Sequence, residues 1–236
     1  MTSSHDPRTA ARARMLARTR LFGELDDATR FELAGRAVER SFQKGEFICH
    51  EGDMGDSLFV VVEGLVKVFV TSSLGDEMVL VTLPPPEVFG ELSLVDGGPR
   101  SASAEAMEPT RLLVLSRPTF LVMLKEHPGL PEALLKSLGD LVRRLTEQAS
   151  DLVFLDLYGR VAKLLVGFAD ERGEKAEDGI VLDLRLTQTD LAGMVGGSRQ
   201  SVNQILRAFD RRGYVELRGR TVVIKQPDLL RRRAGL

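Results

Sequence analysis

The chain has 236 residues, 43% hydrophobic and 28% charged, a composition that fits about two folded domains and excludes a disordered or collagen-like polypeptide. Its net charge of −2 is uneven: residues 1–157 hold 17 Lys/Arg and 24 Asp/Glu, whereas residues 158–236 hold 15 and 10. A basic module joined to an acidic one points to a polyanion as partner of the C-terminal part, a solvated arginine-rich face being the alternative.

The N-terminal stretch MTSSHDPRTAARARMLARTR is basic but lacks the apolar core of a secretory signal, and no run reaches the roughly 20 apolar residues that span a bilayer. A cytoplasmic chain with no membrane partner is the expectation. Residues 9–37 carry apolar side chains at three- and four-residue spacing and read as helix, with Asp26 or Asp27 able to cap a second segment. From Ser41 to Arg117 short β-rich runs recur between glycines: FIC, SLFVVVEG, LVKVFV, MVLVTL, EVFG, SASAEA and RLLVLS. They read as an antiparallel roll with a hairpin around Leu74–Asp76. The one cysteine, Cys49, excludes an internal disulfide, and His5, His50 and His127 have no metal-ligand spacing. No metal site and no catalytic nucleophile–base constellation is predicted.

Residues 118–130 read as a connector punctuated by Pro118, Pro128 and Gly129. Pro131 suits the first turn of a helix reaching about Leu155. Leu134, Leu138, Leu141, Leu145, Gln148, Leu152 and Leu155 alternate at spacings of four and three, a heptad seam that predicts a homodimer. An amphipathic helix docked on the roll is the alternative. Gly159 and RVAKLLVGFADERG open a further helical stretch, and GEKAEDG reads as a polar loop.

Two helices joined by a tight turn fit residues 187–211. Thr187 caps the first, with Asp190 as its capping-box partner, and Ser198 caps the second. Gly196 and Gly197 allow the turn a positive φ. Val202, Ile205 and Leu206 face inward, while Arg199, Gln200, Asn203, Gln204 and Arg207 face outward. This is a helix-turn-helix pattern, and its outer face suits base edges: arginine bonds guanine bidentately and glutamine suits adenine. YVELRGRTVVIK then forms a hairpin turning at Arg218-Gly219, a wing whose Arg218 and Arg220 can touch phosphates.

In the roll, FGELSLVDGGPRSASAEA (residues 89–106) opens with Gly90-Glu91-Leu92 and closes with Pro99-Arg100-Ser101-Ala102. Arg100 offers a forked cation for a phosphodiester, Ser101 a hydroxyl, and Glu91 an acceptor for a ribose hydroxyl. The alternative is an exposed loop with a surface Glu–Arg pair.

Roll, long helix and winged helix-turn-helix, in this order, resemble the CRP/FNR family of bacterial transcription regulators over about residues 21–225. FGELSLVDGGPRSASAEA is similar to its phosphate-binding cassette, VFLDLYGRVAKLL to its hinge, and LTQTDLAGMVGGSRQSVNQIL to its DNA-reading motif. The resemblance implies an α+β fold: a cyclic-nucleotide-binding jelly roll over 1–130, a dimerisation helix and hinge over 131–157, and a DNA-binding domain over 158–236. It also implies a homodimer on a two-fold-symmetric operator in double-stranded DNA, with RNA polymerase as a further partner.

The cassette is most like the cyclic-AMP receptor branch, which implies cyclic AMP as effector, with cyclic GMP, another nucleotide or no effector as alternatives. In that branch the matches of Gly90, Glu91, Leu92, Arg100 and Ser101 surround the cyclic phosphate and ribose. A pair of adjacent hydroxyl residues on the dimer helix meets the adenine; the matching pair here is Leu145-Thr146, so only Thr146 can bond the base. Thr187, Gln188, Ser198, Arg199, Gln200, Ser201, Gln204, Arg218 and Arg220 are implied to meet DNA. The receptor pattern of arginine, glutamate and a second arginine becomes Arg199, Gln200 and Gln204. From another class, the alternative is an enzyme acting on a nucleotide or a cyclic-nucleotide-binding regulatory subunit. Glu91 and Arg100 alone cannot hydrolyse a phosphodiester without a metal or a general base.

Overall fold

The computed structural model describes residues 6–236, so His5 lies outside the described residues. The fold is α+β, and the chain divides into two compact units, one ending at Val142 and one spanning Arg143–Leu236.

The first unit opens with α1 (Pro7–Leu16) and α2 (Asp27–Arg36). The helical stretch read over 9–37 is therefore two helices. Between them the Thr19 hydroxyl donates to the Leu16 carbonyl and accepts from the Phe22 N–H, closing a turn. Asp26 caps α2 by accepting from the Thr29 N–H.

Eight antiparallel strands follow: β1 (Val38–Phe42), β2 (Phe47–Cys49), β3 (Ser57–Glu63), β4 (Val66–Thr71), β5 (Glu77–Leu83), β6 (Val88–Phe89), then, after the short helix α3 (Glu91–Asp96), β7 (Ser103–Ala106) and β8 (Thr110–Ser116). They form two four-stranded sheets, ordered β1-β8-β3-β6 and β2-β7-β4-β5. The expected hairpin joins β4 to β5, with Gly75 at φ +87° and the Ser72 N–H donating to the Asp76 carbonyl. Alternation along β3 and β8 builds two cores. Phe59, Val61, Leu112 and Val114 face the roll interior with Phe89 and Leu83. Leu58, Val60, Leu113 and Leu115 face the helices, packing with Phe22, Leu33, Phe120 and Leu130.

Residues 118–130 are not a plain connector. They hold most of α4 (Arg117–Glu126), capped by the Ser116 hydroxyl, and the start of α5 (Gly129–Phe154). Pro118 sits in the first turn of α4, where its missing N–H costs nothing. Phe120 and Met123 are fully buried and anchor α4.

The second unit takes in the end of α5, then α6 (Leu157–Arg172), β9 (Glu174–Ala176), β10 (Gly179–Asp183), α7 (Gln188–Val195), α8 (Arg199–Arg211), β11 (Val215–Arg218), β12 (Thr221–Ile224) and α9 (Pro227–Arg233). Its sheet order is β11-β12-β10-β9. GEKAEDG is thus a hairpin arm rather than a loop: Lys175 pairs with Ile180 and Ala176 with Gly179, whose φ is +143°, across a turn at Glu177 and Asp178. Phe209 of α8 is fully buried, edge-on to Tyr158 of α6 and stacked on Tyr214 before β11. These three rings fix α8 against its own unit.

Candidate functional site

Two separate sites follow from this fold. In the first unit, Gly90 adopts φ +84° immediately before α3, a backbone conformation that favours glycine. A Cβ there would stand 2.6 Å from Arg100 Nη1, so glycine also makes room for the cation. Arg100 itself is only 6% exposed. Its Nη1 donates to the Gly90 carbonyl at 3.0 Å and to Ser93 Oγ at 3.3 Å, and its Nη2 donates to the Ser57 carbonyl at 2.6 Å. The guanidinium also lies over the Phe59 ring, 5.2 Å from the centroid.

All three acceptors are neutral. A buried guanidinium without a carboxylate costs on the order of several kcal/mol in desolvation, which an arriving anion offsets. Its five donors are only partly used, which suits bidentate binding of a phosphate. The rest of the cassette is more open. Leu92 and Ser101 are exposed, Glu91 is half-buried, and α3 has no side-chain cap over its first turn.

Sequence reasoning missed Ser57 and Ser93, the groups that hold the fork. No periodic signal marks them; Ser57 is 43 residues from Arg100. Burial pushes the Cys49 thiol up, with the charge of Arg100 opposing, so this cysteine is no activated thiolate.

On α5, Leu130, Ala133 and Leu134 are buried in the first unit's core, with Leu138 packed against it. The seam drawn through Leu134 and Leu141 is therefore rotated. Leu135, Val142, Leu145 and Leu152 stand 44% to 70% exposed. With Leu138 and Ala149 they form a three–four alternation of their own, an apolar stripe that shares Leu138, Leu145 and Leu152 with the expected seam but takes Leu135 in place of Leu134. Thr146 is exposed on α5.

In the second unit, α7 and α8 form the helix-turn-helix. Thr187 and Asp190 close the capping box: the Asp190 N–H donates to Thr187 Oγ1 at 3.1 Å and the Thr187 N–H to Asp190 Oδ2 at 2.8 Å. Ser198 caps α8 by accepting from the Ser201 N–H at 3.0 Å. Only Gly196 of the two turn glycines has a positive φ, +63°. Gly197 serves close packing instead, since a Cβ there would meet Leu157 Cδ1 at 2.8 Å. Arg160 locks the turn by donating to the carbonyls of Leu155 and Val195.

Val202, Ile205 and Leu206 are buried, and Arg199, Gln200, Gln204 and Arg207 are exposed. Asn203 departs from the expected outer face: half-buried, it donates to Gln188 Oε1 at 2.7 Å and ties α8 to α7. Gln188 is held by the same bond.

At the wing, β11 and β12 meet through Gly219, at φ +64°, and Arg220. Arg220 is exposed, whereas Arg218 is bound: it donates to Glu216 at 2.7 Å and to Asp178 at 2.5 Å, with Lys225 on the same carboxylates at 2.9 Å. These bonds bring both Asp178 and Glu216 down to about 2.

Comparison with known proteins agrees with this division. Residues 39–127 match the family model of the cyclic nucleotide-binding domain, and residues 159–233 that of the Crp-like helix-turn-helix domain. A CRP-like cAMP-activated global transcriptional regulator of Mycobacterium tuberculosis is 33% identical over 93% of this chain and 98% of its own. The cyclic AMP receptor protein of Thermus thermophilus is 34% identical over 81% of this chain and 85% of its own. Among solved structures, the c-di-GMP-responsive global regulator CLP of Xanthomonas campestris shares the fold, with a TM-score of 0.76 at 23% identity over 84% of this chain and 99% of its own. No helix among the described residues is long and apolar enough to cross a membrane.

Proposed function

The chain belongs to the CRP/FNR family of transcription regulators, and on this premise we propose that it is a cyclic-AMP-controlled homodimer that binds a two-fold-symmetric operator. The observation that carries the ligand half is Arg100, a buried guanidinium spent on neutral acceptors beside the left-handed Gly90. It would take the cyclic phosphate, with Ser101 and the first turn of α3 adding donors. Glu91 would accept from the ribose hydroxyl, Leu92 would pack beside it, and Thr146 would bond the base. In this reading the nucleotide is bound and released, not hydrolysed.

The relatives' printed names favour cyclic AMP. Cyclic GMP is the second reading, because only Thr146 of the Leu145-Thr146 pair offers a base a hydroxyl and adenine loses the second one. The dimer would form along Leu135, Leu138, Val142, Leu145, Ala149 and Leu152, of which Leu135, Val142, Leu145 and Leu152 are exposed and too apolar for a solvated face. Arg199, Gln200 and Gln204 would read base edges, with Thr187, Gln188, Ser198, Ser201 and Arg220 at the backbone, while Arg218 stays with Asp178 and Glu216 and braces the wing. Ligand would shift the population toward a dimer whose reading helices lie about 34 Å apart, one turn of DNA. The domains would be 1–130 for ligand, 131–157 for dimer helix and hinge, and 158–236 for DNA. Such a regulator would work in the cytoplasm with RNA polymerase.

Selection of binding sites from random DNA, with and without cyclic AMP, tests the proposal. An inverted repeat enriched only with ligand is the expected result, and no symmetric motif in either pool rejects it. In parallel, the Val142→Glu, Leu145→Glu double variant should sediment as a monomer and lose the motif, since like charges would be buried without partners.

A further inference from the structure

A second constellation in the first unit is unrelated to nucleotide or DNA. It lies where α2 meets the junction of α4 and α5, and it brings Glu32, Glu126 and His127 together, with donor atoms all within 4.8 Å of one another. The sequence hides it, because the partner that orients His127, Thr29, is 98 residues away.

The tautomer of His127 follows from the bonds around it. Thr29 Oγ1 donates its one proton to Asp26 Oδ2 at 2.7 Å. Bonds from the Thr29 N–H and hydroxyl hold the Asp26 carboxyl below its usual range, so it is an ionised acceptor. The 2.9 Å contact between Thr29 Oγ1 and His127 Nδ1 must then be donated by the ring, Nδ1–H to hydroxyl. In the neutral ring this leaves the Nε2 lone pair as the free end. Nε2 is out of solvent contact, has no hydrogen-bond partner among the described residues, and lies 3.3 Å from Glu32 Oε2.

In the neutral ring the Nε2 lone pair and a carboxylate oxygen face each other, a repulsion that either a proton on Nε2 or a metal cation between the two relieves. Zn–N and Zn–O bonds of about 2.0–2.2 Å at a tetrahedral angle separate two donors by about 3.4 Å, close to the distance found. Arg36 pairs with Glu32 Oε1, and the other oxygen, Oε2, is the one near the imidazole. The same guanidinium is 4.0 Å from Glu126 Oε2. The side chain of Glu126 is 53% exposed and can turn in.

The geometry points to a divalent metal site of the Zn2+ class, with ligands His127 Nε2, Glu32 Oε2 and a Glu126 oxygen, and a fourth position for water. Thr29, itself bonded to Asp26, is the positioning residue that fixes the ring, in the role that carboxylates, carbonyls or water play for other histidine ligands. Bound metal would tie α2 to the point at which α5 starts.

Titration of the whole protein with Co2+, followed by visible absorption and then displacement by Zn2+, tests the site. One saturable Co2+ per chain with tetrahedral bands, lost on adding Zn2+, is expected. His127→Gln and Glu126→Gln should each weaken Co2+ at least about tenfold, and Thr29→Val about 10- to 100-fold, as outer-shell changes do. Glu126→Gln alters an exposed side chain and so decides the matter even if His127→Gln fails to fold. Absence of saturable binding, or unchanged affinity in Glu126→Gln, overturns the site. Unchanged affinity in Thr29→Val overturns the tautomer on which it rests.

Discussion

Arg100 and Arg218 both look, as residues in a sequence, like hands held out to phosphate. Their surroundings are opposite. Arg100 is buried, and among the described residues its side chain donates to two carbonyls and a hydroxyl, none of them charged. Arg218 is exposed but bonded to Asp178 and Glu216, which it shares with Lys225. The first is a charge waiting for an anion, and the second already has two. The existing partners of an arginine decide whether it is available to a ligand more than its exposure does.

Four experiments break or sharpen this contrast. The largest effect belongs to Arg100→Leu. Losing two charge-assisted hydrogen bonds at about 1.5–3 kcal/mol each should weaken cyclic-nucleotide binding at least about a hundredfold in calorimetry. Next is Arg199→Ala. A bidentate guanine contact carries roughly 1–3 kcal/mol, so site selection should relax at one guanine per half-site by about ten- to a hundredfold. An unchanged preference would reject direct readout by α8.

The wing comes third. Arg220→Ala should lower the slope of log affinity against log salt by about one, while Arg218→Ala leaves that slope as it was. An equal fall in both variants would mean that the Asp178–Glu216 network opens on DNA.

The smallest effect is on pH. Asp178 and Glu216 have folded values of about 2 against ordinary ones of 3.8 and 4.5. Their contribution to wing stability is therefore complete above about pH 4.5 and lost as pH falls toward 2. Side-chain NMR titration of the two carboxyls should place both midpoints below pH 3, and midpoints near 4 would show the network to be absent.

Regions with one dominant local signal were legible in the sequence. The capping box at Thr187, the apolar trio of α8 and the β4–β5 turn need only neighbours in the chain. Features set by distant contacts were not. α4 was hidden because Pro118 looked like a breaker, although it sits in the helix's first turn. α3 is six residues between two left-handed glycines, Gly90 and Gly97, and looks like loop. The exposed stripe on α5 shares Leu138, Leu145 and Leu152 with the seam read from the sequence but takes Leu135 in place of Leu134, which belongs to the core made with Phe22 and Phe120, a preference its spacing cannot show. Arg100 stands out in the sequence as the cation of the cassette, but its support by Ser57 and Ser93 comes from other elements. Asn203, read as facing out, is claimed by Gln188 for the same reason.

The central claim is that Arg100 is preorganised for a cyclic phosphate. Calorimetric titration of the whole protein with cyclic AMP and cyclic GMP side by side tests it most directly, with Arg100→Leu as the control. The account predicts saturable binding at one site per chain, tighter for cyclic AMP, and lost in the variant. Heat from neither nucleotide, or binding that survives Arg100→Leu unchanged, would contradict it.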